Sequence, residues 1–260
     1  MQSGRQLTDR TVLRVSGDDH YTFLQDLISN DLSGMKDGAV YAALLSPQGK
    51  YLFDFFVVPK DDGVLIDVST DRAAALLQRL TMYRLRAKVD LSETSLHVFQ
   101  VFGGKPDRPC VADPRHPELG WRIYTADPTG VLDGMETATE AHWNSLRITY
   151  LVPETGAELI ADDSYILEMG FERLNGVDFK KGCYVGQEVT ARMKHKTDLK
   201  KGLARVTVDG HAPVGTPITA DGKPAGTLFT TVDGAGLAYL RFDRASGPML
   251  AGDAKINRSG

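Results

Sequence analysis

The sequence predicts an α+β fold that ends in a small barrel or sandwich. Three observations carry this. The first ninety residues alternate strand-like and helix-like runs. Glycine, 26 of 260 residues, exceeds the usual share of about 7% and points to many tight turns. From Lys200 onward, five short β-rich runs follow one another, separated by Gly, Pro and Asp. That spacing suits a barrel or sandwich. The change of character puts a domain boundary near 196–202, with an α+β region over 1–198 and the small β unit over 199–260.

Each element has a local reason. Residues 11–16 (TVLRVS) alternate as a short strand. Asp18 and Asp19 open a helix, where the dipole favours negative charge. Phe23, Leu24, Leu27 and Ile28 give it an apolar stripe. Runs 40–45 and 51–58 are β-rich and are joined by Ser46-Pro47-Gln48-Gly49, a turn signal. Lys60-Asp61-Asp62-Gly63 is a second turn and 64–69 a third strand, so all three are antiparallel. Thr70 or Asp71 caps a helix through Ala73, Ala74, Leu77 and Leu80. Strands follow at 95–102 and 121–124, with a loop between them at 103–117. Residues 137–147 read as a helix. The stretch 151–179 holds only short regular pieces, and 186–193 starts another helix. The five late runs are 203–208, 216–219, 226–231, 236–242 and 254–256.

Composition excludes several classes. No run of eighteen apolar residues exists, which leaves no transmembrane helix. Residues 1–10 carry no apolar secretory core. Cys110 and Cys183 are the two cysteines, too few for a disulfide framework or a four-ligand zinc site. A reducing cytoplasm is the expectation. Net charge −4 argues against a general nucleic-acid binder. The six histidines show no metal spacing, so no metal site is expected. No Walker loop, dinucleotide fingerprint or nucleophile elbow occurs.

The most informative segment is Lys180-Lys181-Gly182-Cys183-Tyr184-Val185-Gly186-Gln187-Glu188. A loop with two glycines runs into a helix. Cys183 precedes the helix start, with Lys180 and Lys181 beside it. Both the dipole and the cations favour a thiolate. Residues 171–201 hold eight Lys/Arg against four acids, a local +4 inside a chain of −4.

These residues, followed by Ala191-Arg192, resemble the signature of the YgfZ/GcvT family of folate-binding proteins. Asp113-Pro114-Arg115 with Leu119-Gly120-Trp121-Arg122, Phe23-Leu24-Gln25-Asp26-Leu27 with Asn30-Asp31, and Leu44-Leu45-Ser46-Pro47-Gln48-Gly49-Lys50 are similar to further family elements. So is Gly236-Leu237-Ala238-Tyr239-Leu240-Arg241 in the barrel. The resemblance spans nearly the whole chain.

The resemblance implies a T-protein-like fold. Ferredoxin-like antiparallel sheet units, in two interleaved subdomains, surround a central channel, and a C-terminal β-barrel follows. It implies tetrahydrofolate in that channel, with Tyr41, Asp54 and Arg147 as folate contacts. Cys183 and Lys181 would be the chemical pair, within the motif Lys180, Gly182, Tyr184, Gly186, Gln187, Glu188 and Arg192. The branch it points to acts in assembly or repair of iron-sulfur clusters, with an A-type iron-sulfur carrier and client enzymes as partners. The alternatives are a tetrahydrofolate-dependent aminomethyltransferase or demethylase, and a module that only senses folate. Phe53 stands where the transferase has the first of two adjacent acids, and Thr149 where many relatives have Glu. Both departures, with the Lys-Gly-Cys-Tyr motif, favour the iron-sulfur branch.

Overall fold

A computed structural model of the chain describes residues 1–195 and 199–259. Lys196 and Asp198 of the basic segment, and the start of the expected 196–202 boundary, lie outside the described residues. The α+β architecture and the closing barrel are as the sequence predicts. The chain divides into two compact units, Met1–Ala138 with Glu172–Gln187, and Thr139–Phe171 with Glu188–Gly260. Helix 140–150 and the turn-rich 151–171 thus group with the barrel. No helix among the described residues is long and apolar enough to cross a membrane.

The first unit contains β1 (Ser3–Leu7), β2 (Arg10–Ser16), α1 (His20–Gln25), β3 (Val40–Leu45), β4 (Tyr51–Lys60), β5 (Gly63–Ser69) and α2 (Thr70–Arg84). It continues through β6 (Asp90–Glu93), β7 (His97–Phe102), β8 (Val111–Ala112), β9 (Trp121–Thr125) and β10 (Glu136–Thr137). Two five-stranded sheets result, in the orders β3-β4-β5-β2-β6 and β10-β1-β7-β9-β8. The sequence reading missed β1, β6, β8 and β10. Each is short or lacks an apolar face, and pairing defines it rather than pattern. Ser69 takes the position expected of Thr70 or Asp71 before α2, without a side-chain cap bond.

Strand alternation gives the β3-β4-β5-β2-β6 sheet two different faces. One carries Ala42, Leu44, Phe53, Phe55, Val57, Ile66 and Val68, and packs on Leu24, Ile28, Leu76 and Leu80 of the helical layer. The other carries Tyr41, Asp54, Phe56 and Asp67, brought into register by the pairs Ala43–Asp54, Tyr41–Phe56 and Phe56–Asp67.

The second unit opens with α3 (Glu140–Tyr150), capped by Thr139, whose hydroxyl accepts from His142 N at 3.1 Å. α4 (Gln187–His195) follows, its first residue belonging to the first unit. The barrel comprises β11 (Lys201–Asp209), β12 (Pro217–Ala220), β13 (Lys223–Val232), β14 (Ala235–Arg241), β15 (Met249–Ala251) and β16 (Ala254–Arg258). It closes in the order β11-β14-β13-β12-β15-β16 around Val206, Ile218, Leu228, Leu240 and Ile256. It has six strands, not five. The three-residue β15 is too short to alternate visibly, yet it supplies the closure that removes both sheet edges.

Candidate functional site

Asp54 sits on the polar face of the β3-β4-β5-β2-β6 sheet, 5% exposed. Its carboxylate accepts from the Tyr41 hydroxyl at 2.9 Å on one oxygen and from the Tyr51 hydroxyl at 2.9 Å on the other. The Tyr41 ring meets Phe56 with centroids 5.4 Å apart. Burial, and then the Asp54 charge, push the Tyr41 phenol well above its ordinary range, so Tyr41 stays a proton donor. Two phenols therefore fix the orientation of one buried carboxylate.

Around Phe56 lies a cluster of buried charge. The Arg115 and Arg122 guanidiniums sit 4.8 and 4.0 Å from its ring centroid. Asp67, fully buried, accepts from Arg10 Nε at 2.6 Å, Arg122 Nη1 at 2.7 Å and the Tyr124 hydroxyl at 2.8 Å. Asp113 holds Arg115 by two parallel bonds of 3.0 and 2.8 Å. Burial alone would raise both carboxyls, but the guanidiniums overcome it and hold each below the usual range. Three arginines and three aspartates thus balance in a low-dielectric layer, where an unpaired charge is costly.

The Cys183 loop is stitched to the start of the chain. Asp178 N donates to Ser29 O at 3.0 Å. The Ser29 hydroxyl donates to Gly176 O at 2.6 Å and accepts from Ala43 N at 2.8 Å. Asn30 Nδ2 donates to Asn175 O at 2.6 Å and to Tyr41 O at 2.8 Å. Lys181 is buried. Its ammonium donates to the carbonyls of Gln25, Ile28 and Asn30 at 2.6, 2.6 and 3.1 Å, closing the end of α1. Burial lowers it to about 8, against the pull of Asp31, Asp26 and Asp178. Its charge is thus committed to backbone carbonyls at the end of α1. Lys180 is exposed.

Gly186 has φ 83°. A Cβ there would lie 2.6 Å from the Ser46 carbonyl oxygen and 3.0 Å from Gly49 Cα. The motif loop therefore packs directly on the 46–49 turn between β3 and β4, joining two segments that the sequence singled out separately. Tyr184 is buried beneath it, with the Lys181 ammonium 5.2 Å from its ring. Gln187 Nε2 reaches the Gly182 carbonyl at 3.4 Å. Cys183 itself is exposed between these anchors, and Tyr184, Val185 and Gly186 separate it from α4. Glu188 and Arg192 are exposed on α4.

The family model for the CAF17 C-terminal beta-barrel domain matches residues 200–259, the whole described barrel. Iron-sulfur cluster assembly factor IBA57, mitochondrial, of Mus musculus is 30% identical, over 94% of this chain and 79% of its own. The Homo sapiens protein of the same name is also 30% identical, with the same coverage of both chains. The chain belongs to the IBA57 family of iron-sulfur cluster assembly factors. The glycine cleavage system aminomethyltransferase T from Bartonella henselae superposes with a TM-score of 0.80 over 98% of this chain and 84% of its own, at 12% identity. That likeness shows a T-protein fold.

Membership corrects one expectation. The cytoplasmic location inferred from cysteine usage is overturned, because these IBA57 relatives are named as mitochondrial proteins. Two thiols speak only to a reducing environment, which more than one compartment provides.

A second correction concerns Arg147. It is 2% exposed on α3. Its guanidinium donates to Asn144 Oδ1 at 3.2 and 3.0 Å, Val152 O at 3.1 Å, Glu158 Oε2 at 2.9 Å and Thr230 Oγ1 at 2.9 Å. Glu158 in turn accepts from the Thr230 hydroxyl at 2.6 Å on its other oxygen. Arg147 ties α3 and the 152–158 turn to barrel strand β13, and its donors are spent there. Phe53 is likewise clarified. It faces the apolar core, with Arg72 4.9 Å from its ring, so a side chain at 53 lies across the sheet from Asp54 and does not share its site.

Sequence reasoning missed Tyr51, Asp67, Arg10 and Tyr124. A lone carboxylate inside the apolar run 64–69 was the available signal for Asp67.

Proposed function

We propose that the chain binds tetrahydrofolate on the Asp54 face and serves the assembly or repair of iron-sulfur clusters through the Cys183 thiol. Family membership and the T-protein fold support the reading. The observation that carries it is Cys183, exposed on a loop whose neighbours Lys181 and Tyr184 are buried anchors. An exposed thiol on a braced loop can be offered to a cluster shared with a second protein. An A-type iron-sulfur carrier and iron-sulfur client enzymes are the partners this implies.

The donor set fits folate in kind. An aminopyrimidinone ring presents adjacent N–H donors, and a carboxylate accepts such a pair. The Tyr41 and Tyr51 hydroxyls orient Asp54 for it, and the aromatic faces of Tyr41 and Phe56 adjoin. Tetrahydrofolate would supply a one-carbon carrier at its reduced pterin. Calorimetry on wild type and Asp54→Ala tests this. The variant should bind at least about tenfold more weakly, the worth of charge-assisted bonds of about 1.5–3 kcal/mol. Equal affinity removes Asp54 from the site.

Cys183 should alkylate with iodoacetamide faster than Cys110 at pH 7. Cys110 is half-buried against Phe99, Val101 and Ile123, and burial pushes its thiol up, leaving less thiolate. Mass spectrometry at each cysteine reads the two rates. If Cys110 keeps pace, the thiol mechanism fails. The decisive mixture holds the purified chain and an A-type carrier loaded with cluster. A shared-cluster absorption spectrum should form with wild type and vanish with Cys183→Ser.

A further inference from the structure

The end of α2 presents a surface that neither the folate face nor the Cys183 loop uses. The chain turns after Arg84 at Leu85, with φ 42° and ψ −103°. A residue with a Cβ is strained there, and glycine is the usual choice just past a helix. Leu85 is nevertheless kept, 89% exposed, and Met82, one turn earlier on α2, is 65% exposed. A strained, solvent-facing leucine is a cost without a return inside this molecule.

The loop that carries it is rigid. Lys88 N donates to Asp19 Oδ2 at 2.8 Å, and Asp19 N to Lys88 O at 3.3 Å. Ala87 N donates to Arg84 O at 2.7 Å, and Val89 is buried in the core. Gly17 is pressed so close that a Cβ would lie 2.3 Å from the Lys88 carbonyl oxygen. Leu85 is therefore displayed by a pre-formed turn and loses little freedom on binding.

Basic side chains predominate around it, with Asp18 and Asp90 the acids on the same wall. Residues 79–88 hold Arg79, Arg84, Arg86 and Lys88 and no acid, in a chain of net −4. The Lys88 ammonium pairs with Asp18 at 3.5 Å. Among the described residues, no carboxylate lies within ion-pair distance of Arg79, Arg84 or Arg86. Beside the turn lies a concavity of about 490 Å³, walled by Gly17, Asp18 and residues 84–90.

We propose that this knuckle docks an acidic amphipathic segment of a partner protein. The partner's carboxylates meet Arg84 and Arg86, and its apolar side chains cover Leu85 and Met82. An anionic bilayer fits less well. Even a whole myristoyl chain anchors only marginally, and two side chains on a fixed turn bury less. The proposal depends neither on folate nor on Cys183.

The test uses the full chain and a fluorescein-labelled helical peptide with Leu at i, i+3, i+4 and i+7 and Glu elsewhere. The same peptide with Lys for Glu is the control. Anisotropy should show binding of the acidic peptide alone, weakening as salt rises. Arg84→Glu with Arg86→Glu should cost at least about tenfold in affinity. Leu85→Gly should cost as much while holding or raising the melting temperature, because it relieves the turn. That split separates docking from a structural role. Equal binding of both peptides, full affinity in Leu85→Gly, or a lower melting temperature in that variant would overturn the proposal. Co-sedimentation of wild type with anionic vesicles, without binding of the acidic peptide, would overturn it in favour of a membrane.

Discussion

Replacing Arg147 with Met should destabilise the barrel-bearing unit by about 3–5 kcal/mol, the cost of stranding one partner of a buried ion pair. The stranded group is Glu158, 1% exposed, left with the Thr230 hydroxyl and the Thr230 and Glu154 amides. Asn144 Oδ1 and the Val152 carbonyl lose their donors at the same time. Urea unfolding followed by tryptophan fluorescence reads the loss, because Trp143 is buried on the same helix and bonds Glu154 at 2.7 Å. Adding Glu158→Gln to Arg147→Met should recover part of it, since a neutral amide is cheaper to bury unpaired. Tetrahydrofolate affinity below the transition should be unchanged. A stable Arg147→Met protein that binds folate poorly would restore Arg147 to the ligand and refute its structural role.

Asp67→Asn should be comparably severe in the first unit, about 3–5 kcal/mol. Asp67 accepts from two guanidiniums and one phenol, all donors. An amide in its place turns its own N–H group toward one of them and leaves Arg10 and Arg122 without their counter-ion. The substitution should also change the pH response. The folded carboxyl titrates below its unfolded value because Arg10 and Arg122 outweigh burial. Its contribution is therefore full above the unfolded value of about 4 and is lost as pH falls through the lower folded value. Asp113, depressed by Arg115, adds in the same window. Wild type should lose stability steeply below about pH 4, and Asp67→Asn should start lower and fall less steeply. Urea midpoints at a series of acidic pH values measure this. Parallel curves would mean that Asp67 is not the group that titrates.

Much of the fold was legible because its causes are local. The 46–49 turn carries Pro and Gly, and the strand after it follows from an aromatic and β-branched run. Thr139 caps α3 with its own hydroxyl, two residues beyond the expected start at 137. The Gly182–Gly186 loop announced itself by composition, and φ 83° at Gly186 supplies its reason. Cys183 could be singled out because few residue types do its chemistry.

The partners of charged groups were not legible. Arg10 and Asp67 lie 57 residues apart, and Lys181 lies 156 residues from the Gln25 carbonyl that it caps. In the sequence Lys181 is a cation beside a thiol. In the folded chain it is a cap on α1, because its four-carbon stem reaches buried carbonyls that would otherwise lack a donor. The resemblance implied Arg147 as a folate contact, but the arrival of Glu158 and Thr230 from elsewhere in the chain buries and saturates it. Pattern and turn chemistry act over a few residues, so the sequence alone determined the longer strands and helices, the closing β unit and the thiol's loop. Pairing of buried charge is decided by contacts between distant segments, and only the tertiary structure could show which ions hold the fold and which carboxylate, Asp54, is held by two phenols on the face read as the folate site.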